Sequence, residues 1–227
     1  MTVEGIRARN RAAIESEILR VAGRHLARDG AAALSLRAIA RDLGMAPSAQ
    51  HRYVANRDDL LTLLIIEAYD AMADAADAAV TGLPAGTAPL ERFRAIAPPP
   101  ATWALANPHR YALIYGSPVP DYDAPAERTN RAGTRIPTLL VGTLRELPPP
   151  ASDPVAERAL GGILHDPDIA AAGLGAAALH RGMTAWILVL GAITAELFEQ
   201  FGPDAFSDAD AFFEGVLDAA ERVVLGP

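Results

Sequence analysis

The sequence contains no cysteine and no lysine. Without cysteine there are no disulfides, no thiolate metal sites and no thiol redox chemistry. A reducing compartment fits that absence. All 20 basic side chains are therefore arginine, a bias to which no function attaches. Long apolar runs are scarce too. No stretch free of charge and histidine is longer than that from Gly182 to Ala195, 14 residues, short of the ~20 that a membrane helix needs. The N-terminal region is densely charged and does not read as an export signal. These features predict a soluble, cytoplasmic chain with no membrane partner.

What is present is half apolar, with 18 Gly and 18 Pro in 227 residues, which places the chain among globular proteins. Its net charge of −8 is unevenly spread. Residues 1–57 hold ten Arg against five acids, and residues 58–227 hold ten Arg against 23. A basic head on an acidic body confines attraction for nucleic acid to one end.

Apolar spacing is helical nearly throughout, and no segment alternates like a half-buried strand, so the fold class is all-α. A first helix over about 10–29 places Ile14, Ile18, Val21, Ala22, His25 and Leu26 on one face, and Asp29-Gly30 ends it. Arg7, Arg9 and Arg11 precede it as a disordered-looking basic arm. Ser35 suits the N-cap of a second helix, Leu36–Leu43, and Pro47 the first turn of a third. A longer helix starts near Arg57-Asp58-Asp59, with Leu60, Leu61, Leu64, Ile65, Ala68 and Met72 as its buried stripe. Proline then interrupts the chain at 83–89, 98–100, 117–125 and 147–154, and 161–168 reads as a loop. Two apolar helices close it, about 174–201 and 208–225. In the first, Met183, Trp186, Ile187, Leu190, Ile193, Leu197 and Phe201 share a side, and Gly191, Ala192 and Ala195 admit a close neighbour. Faces this broad bury more than one partner surface.

The informative stretch is LRAIARDLGMAPSAQHRYVANRDDL, residues 36–60. A helix-turn-helix needs a small residue where its helices cross, supplied by Ala40. It needs a turn residue tolerant of positive φ, supplied by Gly44. A third helix from Pro47 then presents its first turns to the major groove, ~12 Å wide.

With Ile39-Ala40, Gly44-Met45-Ala46, Gln50-His51-Arg52-Tyr53-Val54 and Arg57 in that order, the stretch resembles the DNA-binding domain of the TetR family over about residues 10–65. Two positions depart from the family pattern. Gln50 replaces a core Leu and either strains the core or turns outward to a base. Ala46 replaces the Ser that caps the third helix. Carried over position by position, the resemblance implies that Pro47, Ser48, Ala49, His51 and Tyr53 approach the groove, while Ser35, Arg37 and Arg57 hold phosphates. The alternative for His51 and Tyr53 is packing between the third and fourth helices. Trp103, His109 and Gly116 resemble the C-terminal domain of a TetR subgroup named for that Trp-His-Gly set.

The resemblance implies a three-helix head, residues 1–56, and a ligand-binding and dimerisation body of about six helices, residues 57–227. Its partners would be double-stranded operator DNA, a small-molecule inducer and a second copy joined through the last two helices. Trp103, Tyr111, Tyr115, His180, Met183 and Trp186 are the candidate ligand-binding side chains; plain core is the alternative for each. His165-Asp166-Pro167-Asp168 lacks a partner histidine at helical spacing, so no metal is expected. Without a Gly-rich phosphate loop or a Gly-x-Ser-x-Gly elbow, neither cofactor nor enzyme activity is expected. The implied function is a ligand-released repressor. Its rivals are an activator or corepressor-type regulator of the same fold, an enzyme on a helical scaffold, and an architectural DNA-binding protein.

Overall fold

A computed structural model describes residues 3–165 and 167–226, without the side chains of residues 3, 4, 6, 7, 47, 167 and 168. The Arg7 and Pro47 side chains, Asp166 and the Asp168 side chain, all named above, lie outside the described residues. Every regular element among those described is helical. In chain order they are α1 (Val3–Asp29), α2 (Leu36–Asp42), α3 (Pro47–Gln50), α4 (Arg57–Thr81) and α5 (Pro89–Ile96). Next come α6 (Pro98–Ala106), α7 (Pro108–Tyr115), α8 (Ala126–Gly133) and α9 (Arg135–Leu144). Last are α10 (Pro154–Leu160), α11 (Pro167–Ala172), α12 (Ala176–Leu197) and α13 (Ala209–Leu225). Short 3₁₀ turns occupy Ala31–Ala33 and Ile163–His165.

The proline breaks fall where expected but cut the body more finely, into ten helices from α4 onward among the described residues. Proline mostly starts a helix here rather than only ending one. Pro98-Pro99-Pro100 forms the first turn of α6, where a missing N–H costs nothing because that donor has no intrahelical partner. The stretch 161–168 is likewise not plain loop, since it holds a 3₁₀ turn and the start of α11. The expected arm is also corrected: α1 is helical from Val3. Arg11 is held there by Glu15 one turn on, at 2.7 Å, a spacing that supports a helix.

The chain forms two compact units, Met1–Ala71 with Asn107–Gly133, and Met72–Ala106 with Thr134–Pro227; α4 is continuous across residue 71. In the first unit Ile18, Val21, Ala22 and Leu26 of α1 meet Ile39, Val54, Leu60, Leu61 and Leu64 in one buried cluster. Leu113 of α7 and Val119 and Tyr122 of the following loop pack against it. The Tyr122 hydroxyl lies 2.9 Å from that of Thr62 on α4.

The second unit is built on α12 and α13, which pack against each other. Small residues of α12 face inward: Gly182, Ala185, Ala192 and Ala195 are buried with Val189 and Ile193. The close approach falls at Gly182, where a Cβ would run into Leu144 Cδ1, and not at Gly191, which has open space around it. Arg94 of α5 reaches Asp218 at 2.7 Å, Glu221 at 3.2 Å and Glu214, all on α13. By length and composition alone α12 is apolar enough to cross a membrane, but half of that window is buried inside the protein.

Candidate nucleic-acid interface

Ser35 caps α2 as its spacing predicts, its side chain accepting from the Ala38 N–H at 3.4 Å. Ile39 and Ala40 are buried at the crossing. Gly44 turns the chain at φ 64°, the left-handed region that side chains with a Cβ avoid. The Met45 N–H then bonds to the Ala40 carbonyl at 2.8 Å, closing the corner before α3.

A second fastening joins α1 to α2. His25, 5% exposed, lies with Nε2 2.7 Å from Asp42 Oδ2 and Nδ1 3.3 Å from Arg28 Nη2. That hydrogen bond from His25, with the nearby positive charges of His25, Arg41 and Arg28, holds the Asp42 carboxyl below its ordinary value. His25 sits on the buried face read from spacing; its pairing with Asp42 was not foreseen.

The α-helical part of the recognition segment is a single turn, Pro47–Gln50. Tyr53 and Val54 continue it through N–H bonds to the Gln50 carbonyl at 2.8 and 3.1 Å. Ser48, His51 and Arg52 are exposed, and Ala49 and Tyr53 half-buried. Tyr53 packs on the head core, and the Arg11 guanidinium lies 5.7 Å from its ring centre. Arg37 is exposed. Arg57 is half-buried, one Nη2 donating to the Ala31 carbonyl at 3.1 Å, which ties α4 to the turn after α1.

Gln50 resolves the question its residue type raised. It points inward, 2% exposed, and its Nε2 has no hydrogen-bond partner. It takes the core position of the family's Leu at the cost of an orphaned donor.

Beyond α3, Asn56 Oδ1 accepts from the Asp59 N–H at 2.8 Å, and Asp59 Oδ2 accepts from the Ala55 N–H at 2.9 Å. The first bond caps the start of α4 with the Asn56 side chain, and the second ties the residue just ahead of that cap to Asp59. Partial burial works to raise the Asp59 carboxyl, but the Ala55 N–H and the Arg128 guanidinium at 2.8 Å outweigh it, and the value is lowered. The Ala55 carbonyl in turn lies 2.9 Å from His51 Nδ1.

The ligand candidates are divided between the units. Tyr111 and Tyr115 sit in the first, with ring centres 5.2 Å apart. Tyr69 of α4 adds a third ring, edge-on to Tyr115 at 6.0 Å, which sequence reading missed. Tyr111 is fully buried, and burial pushes the Tyr115 phenol well above its ordinary value. Trp103, His180, Met183 and Trp186 belong to the second unit, with Met183 exposed and the other three half-buried. That unit has a cleft of about 580 Å³ walled by Leu144, Leu147, Pro148 to Pro150, Leu174 and Val224, and bordered by none of the six candidates. His165 Nδ1 lies 2.6 Å from the Gly161 carbonyl, a local fastening.

A capped supporting helix, a glycine corner and an exposed polar turn on a basic head define a helix-turn-helix DNA-binding protein. Residues 93–220 match the family described as "Tetracyclin repressor-like, C-terminal domain". The chain is 38% identical to the HTH-type transcriptional regulator Rv1816 of Mycobacterium tuberculosis (strain ATCC 25618 / H37Rv), over 92% of each sequence. Among solved structures it resembles SCO4313, named as a regulatory protein, with 31% identity, a TM-score of 0.74, and 94% of this chain and 97% of that one covered. The fold is also that of the TetR family regulator PfmR from Thermus thermophilus, with 17% identity, a TM-score of 0.53, and coverage of 92% and 97%. The chain belongs to the TetR family of transcriptional regulators, a family of regulators rather than enzymes.

Proposed function

We propose that this regulator is a cytoplasmic, ligand-released repressor that binds a palindromic operator as a dimer. The division of labour is a head, residues 1–56, and a regulatory body, residues 57–227. The observation that carries the DNA part is the turn of Ser48, Ala49 and His51 beyond the Gly44 corner, on a head with nine Arg against five acids. Pro47, Ser48, Ala49, His51 and Tyr53 meet base edges and the adjoining backbone. Ser35, Arg37 and the remaining N–H groups of Arg57 meet phosphates, which fix register without reading sequence.

The dimer forms through α12 and α13. Met183, Ile187 and Leu188 are exposed on α12 and Phe198 at its end, and Ile187 keeps 63% of its surface. Gly191, one turn beyond Ile187, has no heavy atom within 4 Å of a built Cβ, so a second helix can approach closely. An isologous pairing of these helices gives a two-fold axis, and two heads then meet grooves ~34–36 Å apart or at a multiple of that.

Ligand acts by population shift: it binds more tightly to a state whose heads no longer match the grooves. Trp103, Tyr111, Tyr115, His180, Met183 and Trp186 remain the side chains proposed to meet it, and α4 the lever. The test begins with a duplex selected by the wild-type protein from a random-sequence pool. Tyr53→Ala should weaken that duplex at least about tenfold, the size of one lost specific contact, and random DNA much less. Equal losses on both would instead favour an architectural protein.

A further inference from the structure

The first compact unit contains an unbroken series of hydrogen bonds from α8 to a residue of the recognition segment. Arg128 Nη1 on α8 donates to Asp59 Oδ1 at 2.8 Å. The other oxygen, Asp59 Oδ2, accepts from the Ala55 N–H at 2.9 Å. The Ala55 carbonyl lies 2.9 Å from His51 Nδ1, and a carbonyl only accepts, so Nδ1 carries the proton in that bond. In the neutral form of this exposed ring Nε2 is then the acceptor nitrogen.

We propose that Arg128 and Asp59 are positioning residues for His51, fixing its ring and its tautomer through the backbone of Ala55. The proposal rests on the reading that His51 faces DNA. Neutral His51 presents Nε2 as an acceptor, and its complement in the major groove is an exocyclic amino group, cytosine N4 or adenine N6. A guanine O6 or N7 offers this nitrogen no donor. The relay therefore sets which base edge is read as well as where the ring sits.

The alternative is that Asp59 merely fastens the start of α4 and that Arg128 is a surface ion pair, its side chain 41% exposed. Surface pairs of that kind contribute little, so on this view Arg128 can be removed without consequence for His51. What argues for the relay is that both carboxylate oxygens are in use, one on each side. Loss of Arg128 leaves Asp59 free to rotate away from the Ala55 N–H, and the His51 acceptor moves with Ala55.

Two measurements on the full-length protein test this, with thermal melts confirming that each variant folds. In the first, ¹⁵N NMR of the imidazoles above neutral pH reads the tautomer. Wild-type His51 should be Nδ1-protonated, and Arg128→Gln should shift it toward the mixture of a free histidine. In the second, affinity for the duplex selected by the wild-type protein is measured in a double-mutant cycle. Arg128→Gln should weaken it roughly two- to tenfold alone, and hardly at all in a His51→Ala background. Arg128→Lys should rescue much of the loss. An unchanged tautomer in Arg128→Gln, or equal losses with and without His51, would overturn the relay. If the tautomer shifts while His51→Ala leaves duplex affinity intact, the relay stands and the DNA-facing reading of His51 falls.

Discussion

At the scale of single residues, the head combines requirements that sequence displays with one cost that only the structure exposes. Gly44 was legible because a turn at φ 64° excludes a Cβ on local steric grounds alone. Gly44→Ala should lower stability by about 1 kcal/mol, visible in a denaturant titration; an unchanged midpoint would mean that the corner is not held as described. Gln50 was legible as an anomaly but not in its direction, because packing decides whether an amide turns in or out. Its buried Nε2 lacks a partner. Gln50→Leu should therefore stabilise the protein by about 1–3 kcal/mol, the cost of an unmade buried hydrogen bond. A fall in melting temperature would show that the amide is satisfied in solution.

At the scale of elements, the connections between helices matter most, and they are the least legible in sequence. Helical periodicity located α1, α4, α12 and α13 because an amphipathic stripe is written into spacing. It extended the expected first helix too little, since a charged stretch such as Arg9 to Glu15 reads equally as arm or as solvated helix. It gave no hint that Asp42 meets His25, 17 residues away, or that Arg128 meets Asp59 across 69. Such pairs depend on tertiary placement. Both carboxylates are held below their ordinary values, so the sign of their contribution is fixed. A group whose pKa is lowered by folding stabilises above its unfolded value, about 3.9 for Asp, and loses that stabilisation as pH falls through the folded value. Stability should decline on the acid side, and Asp42→Asn should flatten that decline in melts between neutral pH and pH 3. A decline of unchanged steepness would show that the His25–Asp42 fastening does not hold α1 to α2 in solution.

The large apolar side chains of α12 and of the turn that follows it illustrate the same limit. Spacing gathered Met183, Ile187 and Phe201 on one side, but it cannot separate a face buried in the core from one buried by a second molecule. In the structure the small residues face inward and these three stay exposed. Ile187→Glu should therefore turn a dimer into monomers in analytical ultracentrifugation while leaving the helical circular dichroism intact. A variant that remains dimeric would place the interface elsewhere.

At the scale of the whole molecule, the charge split and the order of elements made the class of protein readable: a basic corner-forming head followed by an acidic helical body. The body's segmentation was less legible, because proline marks a break without saying whether a new helix begins at it, as α6, α7 and α10 do. Nor did aromatic residues in sequence reveal that Tyr69 joins Tyr111 and Tyr115, since three rings on two helices meet only after folding. In the proposed dimer, two such heads, fixed by one two-fold axis, grip two half-sites at once. Fluorescence anisotropy reads this grip on the selected duplex and on a copy whose half-sites are separated by an additional half-turn, about 5 bp. Two protomers should bind each native duplex, and that tight binding should be lost when the second half-site is rotated to the opposite face. Affinity indifferent to the insertion would contradict a two-headed grip.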